Sequence, residues 1–415
     1  MWRHPRLASA LFLIAGCDPD PWTLEPWFDA PATTGHLATT GPDDTSSSGE
    51  SSSTGPAVEP GPCVPWRTDL PAGFAPTMVR GLHDDGVVVG GQADGVPSVR
   101  FYDAAGDPTW SYAHAGAVDT PMQTTIVDAA AVGTSRLVAI TRPELQQPGY
   151  IVLLDLETQD EVWNHYLDAS YAGYPYYEDM PIISARAPLR VAAADDGTIA
   201  AVVRGSEFFD MLLTIGVDPA TGSVLWNDHQ DGHYAWSSAL AFNGVGGWFV
   251  HVHSYAGFGS ASFDTQRRNV VTGEEMPETG PSGSGSPGPV AGRAAMRSDG
   301  VLVVPTTISW AGPSQLSIRT RAPDGTSIGS VDLTPDAGRS ASASTVDDAD
   351  RVYMLLGIYA GDQSVLRFDV DLSWQTVMLP DASTVLRDLA STTADDLIVL
   401  GDDGAWFVER ICTEP

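Results

Sequence analysis

Lysine is absent from this 415-residue chain, and all 21 of its basic residues are arginine. That gap removes Schiff-base chemistry, the P-loop lysine and Ser-Lys dyads together. Adjacent cysteines, C-x-x-C and H-E-x-x-H are missing too, which excludes the corresponding thiol-redox and zinc-peptidase signatures. Helical periodicity is scarce, while Gly (42) and Pro (31) are abundant. This balance favours short strands joined by many turns. Positive charge is scarce as well: 53 acidic residues leave a net charge of −32. Such a surface repels phosphate backbones and anionic headgroups, so nucleic acid is not an expected partner.

The chain begins with a basic stretch (Arg3, His4, Arg6) and a short apolar run from Leu7 to Ala15. The run is too short to span a bilayer as a helix and reads as the apolar core of a signal peptide over residues 1–16. It ends Leu13-Ile14-Ala15-Gly16-Cys17, which resembles the lipobox of bacterial lipoproteins. The resemblance implies that Cys17 is acylated and anchors the mature chain in a lipid bilayer. Without Arg3 and Arg6 the balance is 53 acidic against 19 basic residues, or −34. Residues 17–61 hold Trp22, Trp27 and Phe28, then a run rich in Ser, Thr, Gly and Pro. Such a segment buries too little apolar surface to order itself and is expected to be a tether. Its 44 residues after Cys17 would span about 35–40 Å end to end.

Residues 62–415 are repetitive, and VDPATGSVLW at 217–226 is the clearest unit. It reads as a strand end, a tight turn made by Thr221-Gly222, and a new strand carrying Trp226. Trp66, Trp110, Trp163 and Trp374 mark further such strands; Thr272-Gly273 and Asp324-Gly325 keep the turn without the Trp. A second marker, an acidic or Gly-containing turn before an apolar run, occurs seven times between Asp84-Asp85-Gly86 and Asp395-Asp396. Four apolar runs fill each interval. Four antiparallel strands repeated seven times predict an all-β, seven-bladed β-propeller. The strand near 64–70 has no predecessor and the chain ends in three strands, so the first is expected to complete the last blade.

Asp218–Trp226 resembles the Asp-x-x-Thr-Gly-x-x-x-Trp repeat of quinoprotein-like (PQQ-type) propellers. That resemblance implies the architecture. The cofactor chemistry is not expected, since many such enzymes stack the quinone on a vicinal disulfide and none is possible here. Other lipoproteins with such propellers, including a component of the outer-membrane barrel-assembly machinery, act as protein-binding scaffolds. No cofactor and no resident metal are therefore expected.

Three cysteines are present, and Cys17 is assigned to lipid. Cys63 and Cys412 flank the repeats, and closure would bring them within disulfide reach. Gly325-Thr326-Ser327-Ile328-Gly329 matches G-x-S-x-G but lies between strands, where a nucleophile elbow does not form. His251-Val252-His253 should share one strand face about 7 Å apart, with His229 and His233 in the loop before that blade. They read as ordinary polar residues more readily than as a Zn²⁺ or Cu²⁺ site. The Asp pairs read as turns.

Aromatic-Ala-Gly triplets begin at Tyr255, Trp310 and Tyr359, each expected as a turn after the second strand of its blade. The link to the third blade, over 168–181, carries Tyr171, Tyr174, Tyr176, Tyr177, Glu178 and Asp179; the link to the fourth carries His229, Asp231, His233, Tyr234 and Trp236. In a four-stranded meander these links and second turns open on one face. Aromatics, carboxylates and imidazoles together suit a glycan or peptide ligand. The expectation is a non-catalytic binding or scaffolding module for protein or glycan in the bacterial cell envelope, facing periplasm or cell surface. The opposing class is a glycan-active hydrolase or lyase, marked by two carboxylates converging in one pocket.

Overall fold

The computed structural model describes residues 63–114, 125–142, 149–167, 190–204, 212–230, 235–257, 260–276, 283–285, 290–308, 315–333, 341–357, 361–392 and 396–413. Twenty-nine strands occur among them, and they form seven sheets. A lone strand comes first, β1 (Trp66–Asp69). The first blade is β2 (Phe74–Gly81), β3 (Val87–Ala93), β4 (Val96–Tyr102) and β5 (Pro108–Ala113). The second is β6 (Thr125–Val132), β7 (Arg136–Arg142), β8 (Gly149–Asp155) and β9 (Asp160–Leu167). The third is β10 (Arg190–Ala193), β11 (Ile199–Arg204), β12 (Leu212–Val217) and β13 (Val224–Gln230). The fourth is β14 (Ala235–Asn243), β15 (Trp248–Gly257), β16 (Ser260–Asn269) and β17 (Gly283–Gly285). In the fifth the inner strand is split into β18 (Val290–Ala291) and β19 (Ala295–Met296), followed by β20 (Leu302–Ile308), β21 (Gln315–Arg321) and β22 (Ser327–Leu333). The sixth is β23 (Ala341–Val346), β24 (Val352–Leu356), β25 (Ser364–Phe368) and β26 (Trp374–Met378). The seventh is β27 (Val385–Ala390), β28 (Asp396–Asp402) and β29 (Trp406–Cys412), completed by β1.

The core follows from this radial stacking. It is seven apolar slabs, one at each junction between neighbouring blades. Middle strands lie between two slabs and are apolar on both faces: Ile151, Val152, Leu153 and Leu154 of β8 are all fully buried. Outer strands sit where the blades splay apart, and β5 and β22 alternate between exposed and half-buried positions. This is why the middle strands read as continuous apolar runs and the outer ones do not.

At the rim, one donor at a time crosses to a carbonyl in the next blade's last hairpin. Trp66 Nε1 donates to Ala104 O (3.0 Å), Trp163 Nε1 to Pro219 O (3.0 Å) and Trp226 Nε1 to Val270 O (2.9 Å). Each indole lies on a turn glycine at positive φ: Gly106 (83°), Gly222 (71°) and Gly273 (68°). A Cβ on Gly106 or Gly273 would stand 2.5 Å from the ring, and one on Gly222 2.9 Å from Trp163, so only glycine leaves room. Arginine replaces the indole at two junctions. Arg267 Nη1 donates to Pro323 O (3.2 Å) and Arg297 Nη1 to Val370 O (3.1 Å).

Two junctions depart from this pattern. Between the first and second blades the turn glycine is replaced by Gln159 (φ 61°). Trp110 there stacks on Phe101 of its own blade (centroids 4.5 Å apart), and Tyr112 donates its hydroxyl to Glu161 across the junction. At the last junction Trp374 is 48% exposed. The hairpin it would cover does not exist, because the seventh blade's outer strand comes from the other end of the chain. β1 pairs antiparallel with β29, Trp66 opposite Arg410 and Asp69 opposite Phe407. A Cys63–Cys412 disulfide, Cα atoms 5.6 Å apart, stands where that hairpin turn would be and links residues 349 apart in sequence.

Candidate functional site

The inner strands share a feature that the sequence repeats do not announce. β2, β6, β14, β23 and β27 each carry a register shift, at Thr77, Val127, Ser238, Ser342 and Arg387. An extra residue of this kind bends a strand and re-aims the side chains that follow. In the fifth blade the inner strand breaks outright at residues 292–294, and Arg293 lies in the break. The shaft is thereby lined with charge. Asp128 follows the bulge of β6 and Asp388 that of β27; both are fully buried. Arg80, Arg190 and Arg293 are 3–4% exposed.

These five groups form one network. Arg80 donates from Nη1 to Asp388 Oδ2 (2.7 Å) and from Nη2 to Asp128 Oδ1 (2.5 Å), so a single guanidinium joins the seventh, first and second blades. Each Asp also accepts from the backbone of the next blade's inner strand: Val79 N–H to Asp388 Oδ2 (2.9 Å) and Val191 N–H to Asp128 Oδ2 (3.1 Å). Arg293 donates from Nη1 to Ser342 O (3.3 Å) and stands 3.7 Å from Asp388 Oδ1. Burial pushes the Asp128 carboxyl up, opposed by Arg80, Arg190, Arg293 and the Val191 N–H. Burial pulls the Arg293 guanidinium well down, opposed by Asp388 and Asp128 and reinforced by Arg190 and Arg80.

Two carboxylates thus converge on the axis: Asp128 spends both oxygens on Arg80 and backbone N–H groups, while Asp388 gives Oδ2 to Arg80 and the Val79 N–H and keeps Oδ1, buried and without a hydrogen bond, 3.7 Å from Arg293. The sequence did carry a signal: each Asp interrupts an apolar inner-strand run, TIVDAAAV in β6 and VLRDLA in β27.

The histidine pair is buried inside the fourth blade. His251 and His253 of β15 have centroids 5.0 Å apart, closer than the 7 Å strand repeat, because the rings tilt toward each other. His251 Nε2 meets Ser237 Oγ at 3.0 Å. Burial lowers both, His253 to about 4, so both are neutral at pH 7. Among the described residues no group of three His, Cys, Asp or Glu is placed to hold a metal ion.

Of the residues expected to bind a ligand, Tyr171, Tyr174, Tyr176, Tyr177, Asp179, His233, Trp310 and Tyr359 lie outside the described residues. So does Cys17. His229 is in β13, Trp236 in β14 and Tyr255 in β15, and only their backbone is described. Ala235 pairs with Tyr255 and Trp236 with Ser254, so the start of β14 and the end of β15 share one end of the blade. One expectation is corrected: Tyr255-Ala256-Gly257 is not a turn. It continues β15, and its ladder to β16 runs on to Gly257 opposite Ser260.

The fold defines the chain as a seven-bladed β-propeller closed by its own N-terminal strand. No known protein-family profile matches it, and no curated protein does. Solved structures of the same shape are numerous. Kuenenia stuttgartiensis hydrazine synthase is similar at 13% identity, covering 83% of this chain and 97% of that one (TM-score 0.57). A streptogramin B lyase is similar at 12% identity, covering 84% and 98% (TM-score 0.53). The β-propeller domain of the trilobed protease from Pyrococcus furiosus matches at 10% identity over 85% and 98% (TM-score 0.50). At such identities the likeness is one of fold.

Proposed function

We propose that this chain is an exported lipoprotein, anchored through acylated Cys17, whose propeller is a non-catalytic binding or scaffolding module for protein or glycan in the bacterial cell envelope. The observation that carries the binding reading over the hydrolase or lyase is the state of the converging carboxylates. Asp128 and Asp388 are fully buried and bridged by Arg80. Glycosidic chemistry needs two carboxyl groups that face a sugar, one of them free to give up a proton. The rim supports a PQQ-type repeat as architecture: Trp163 rests on the turn at Asp218–Gly222 and Trp226 on the turn of the next blade. The proposed ligand face is the end of the fourth blade shared by the start of β14 and the end of β15, with Tyr174 and Tyr177 as the expected anchors.

Two arms test the reading. Cys17→Ser should move the protein from the membrane to the soluble fraction and abolish palmitate labelling; an unlabelled wild type and a pelleted mutant would remove the anchor. Crosslinked cells should yield a partner with the wild type. Tyr174→Ala with Tyr177→Ala should lose that partner at an unchanged melting temperature. Equal capture by both chains would remove the proposed face.

A further inference from the structure

The last rim junction has a docking ring and no hairpin to receive it. Trp374 stands in the outer strand of the sixth blade, 48% exposed. What should stand opposite follows from the strand registers. Trp110 pairs with Phe101 and Trp226 with Gly216. The carbonyls that receive an indole in those two hairpins, Ala104 and Pro219, come three residues after Phe101 and Gly216. The glycines beneath the indole, Gly106 and Gly222, come four residues before Trp110 and Trp226.

In the seventh blade Trp66 pairs with Arg410. The same counts assign the carbonyl to Thr413 and the place beneath the ring to Pro62. Thr413 already turns to the sixth blade, where its Oγ1 meets the Tyr353 hydroxyl at 3.2 Å. Pro62 is bonded to Cys63, whose Cα is held 5.6 Å from that of Cys412. Consecutive Cα atoms are about 3.8 Å apart, so the chain entering Cys63 passes this junction. Residues 59–62 read Glu-Pro-Gly-Pro. Pro60 and Pro62 fix their own φ and bias the segment to polyproline II. Such a segment loses little entropy on docking, and aromatic surfaces are where it docks. Gly61 has no Cβ to hold a flat ring off.

We propose that residues 59–62 dock on the exposed indole of Trp374, which donates its N–H to the Thr413 carbonyl. The chain entering the propeller thereby supplies the missing half of the last junction. The contact fixes where the tether departs: at the end of the blades that carries the hairpins between third and fourth strands. The start of β14 and the end of β15 lie at the opposite end. With Cys17 lipidated, the proposed ligand face points away from the bilayer. That orientation rests on the anchor proposed above; the docking does not.

The probe is fluorine NMR of the Cys17→Ser chain labelled with 5-fluorotryptophan, with Trp374→Phe assigning the resonance. The Trp374 fluorine should show a small solvent-isotope shift between H₂O and D₂O, as a covered ring does, at every protein concentration. Pro60→Ser with Pro62→Ser should move it to the position of an exposed indole with the full isotope shift. Trp374→Ala should speed amide exchange at Gly61 several-fold. A full isotope shift in the parent chain means an empty ring and overturns the proposal. So does a covered ring that the double substitution leaves covered, cover that is lost on dilution and so belongs to a second copy, or Gly61 exchange unchanged in Trp374→Ala. The chain tested carries no lipid, so none of these outcomes bears on the anchor.

Discussion

At the rim, Trp226 reaches the fourth blade with one neutral indole N–H, while in the shaft Arg80 reaches two neighbours with a full charge. The rim contact needs clearance: a glycine at positive φ beneath a flat ring. The shaft contact needs compensation: every buried charge must find its opposite. Rim junctions can therefore fail singly, as Trp110 and Trp374 do, without cost to the others. The shaft is a shared network in which the loss of one member strands the rest.

The sharpest way to break the comparison is to remove one shaft carboxylate. Asp388→Ala deprives Arg80 of Nη1 compensation, the Val79 N–H of its acceptor and Arg293 of its nearest anion. Removing one partner of a buried pair costs about 3–5 kcal/mol. Chemical denaturation should show a loss of that size. A loss below about 1 kcal/mol, the range of an exposed pair, would mean that water already screens the shaft.

Next in size is the rim. Gly222→Ala forces an L-residue into φ 71° and sets a Cβ 2.3 Å from His165 and 2.9 Å from Trp163. The backbone term is about 1–2 kcal/mol and the crowding about 1–3 kcal/mol. Trp163 fluorescence should shift to the red as the indole is lifted off the Pro219 carbonyl. A stable variant with an unmoved spectrum would show that the glycine is a turn residue and nothing more.

The contrast also explains what could be read in the chain. The Asp218–Trp226 unit is local: Asp218 Oδ1 accepts from Ala220 N–H, Thr221 Oγ1 donates to Asp218 Oδ2, and Gly222 takes the left-handed turn. Chemistry confined to five residues is visible in sequence, and the blade count and strand closure followed from it. The Cys63–Cys412 pairing was legible because closure leaves those two cysteines side by side. The shaft was not. Arg80 and Asp388 are 308 residues apart, and their meeting depends on bulges that turn chemistry does not mark. Asp128 and Asp388 look like interruptions in apolar strands until the axis exists to bring them together. Tyr255 shows the reverse error, where a local motif suggested a turn and the β15–β16 ladder continued through it.

The smallest effect tests whether glycine clearance alone decides docking. Gln159 occupies the place in the second blade's turn that Gly222 holds in the third, four residues after the capping Asp. By analogy with Gly222 beneath Trp163, its Cβ would crowd an indole docked there by Trp110. Gln159→Gly removes that atom and relieves an L-residue at φ 61°, worth about 1–2 kcal/mol. Part is returned as chain entropy in the unfolded state, about 0.5–1 kcal/mol. The net should be stabilisation of about 0.5–1 kcal/mol. A double-mutant cycle with Trp110→Phe then separates docking from turn relief. Phe keeps an aromatic face for Phe101 but has no N–H for the carbonyl of Leu156, which follows Asp155 as the acceptor Pro219 follows Asp218. If clearance decides docking, Trp110→Phe is nearly neutral in the wild type and costs about 1 kcal/mol, one hydrogen bond, in the Gln159→Gly background. Equal costs in both backgrounds would mean that the Phe101 stack and the Tyr112–Glu161 contact hold Trp110 away from the turn whether or not a glycine lies beneath it.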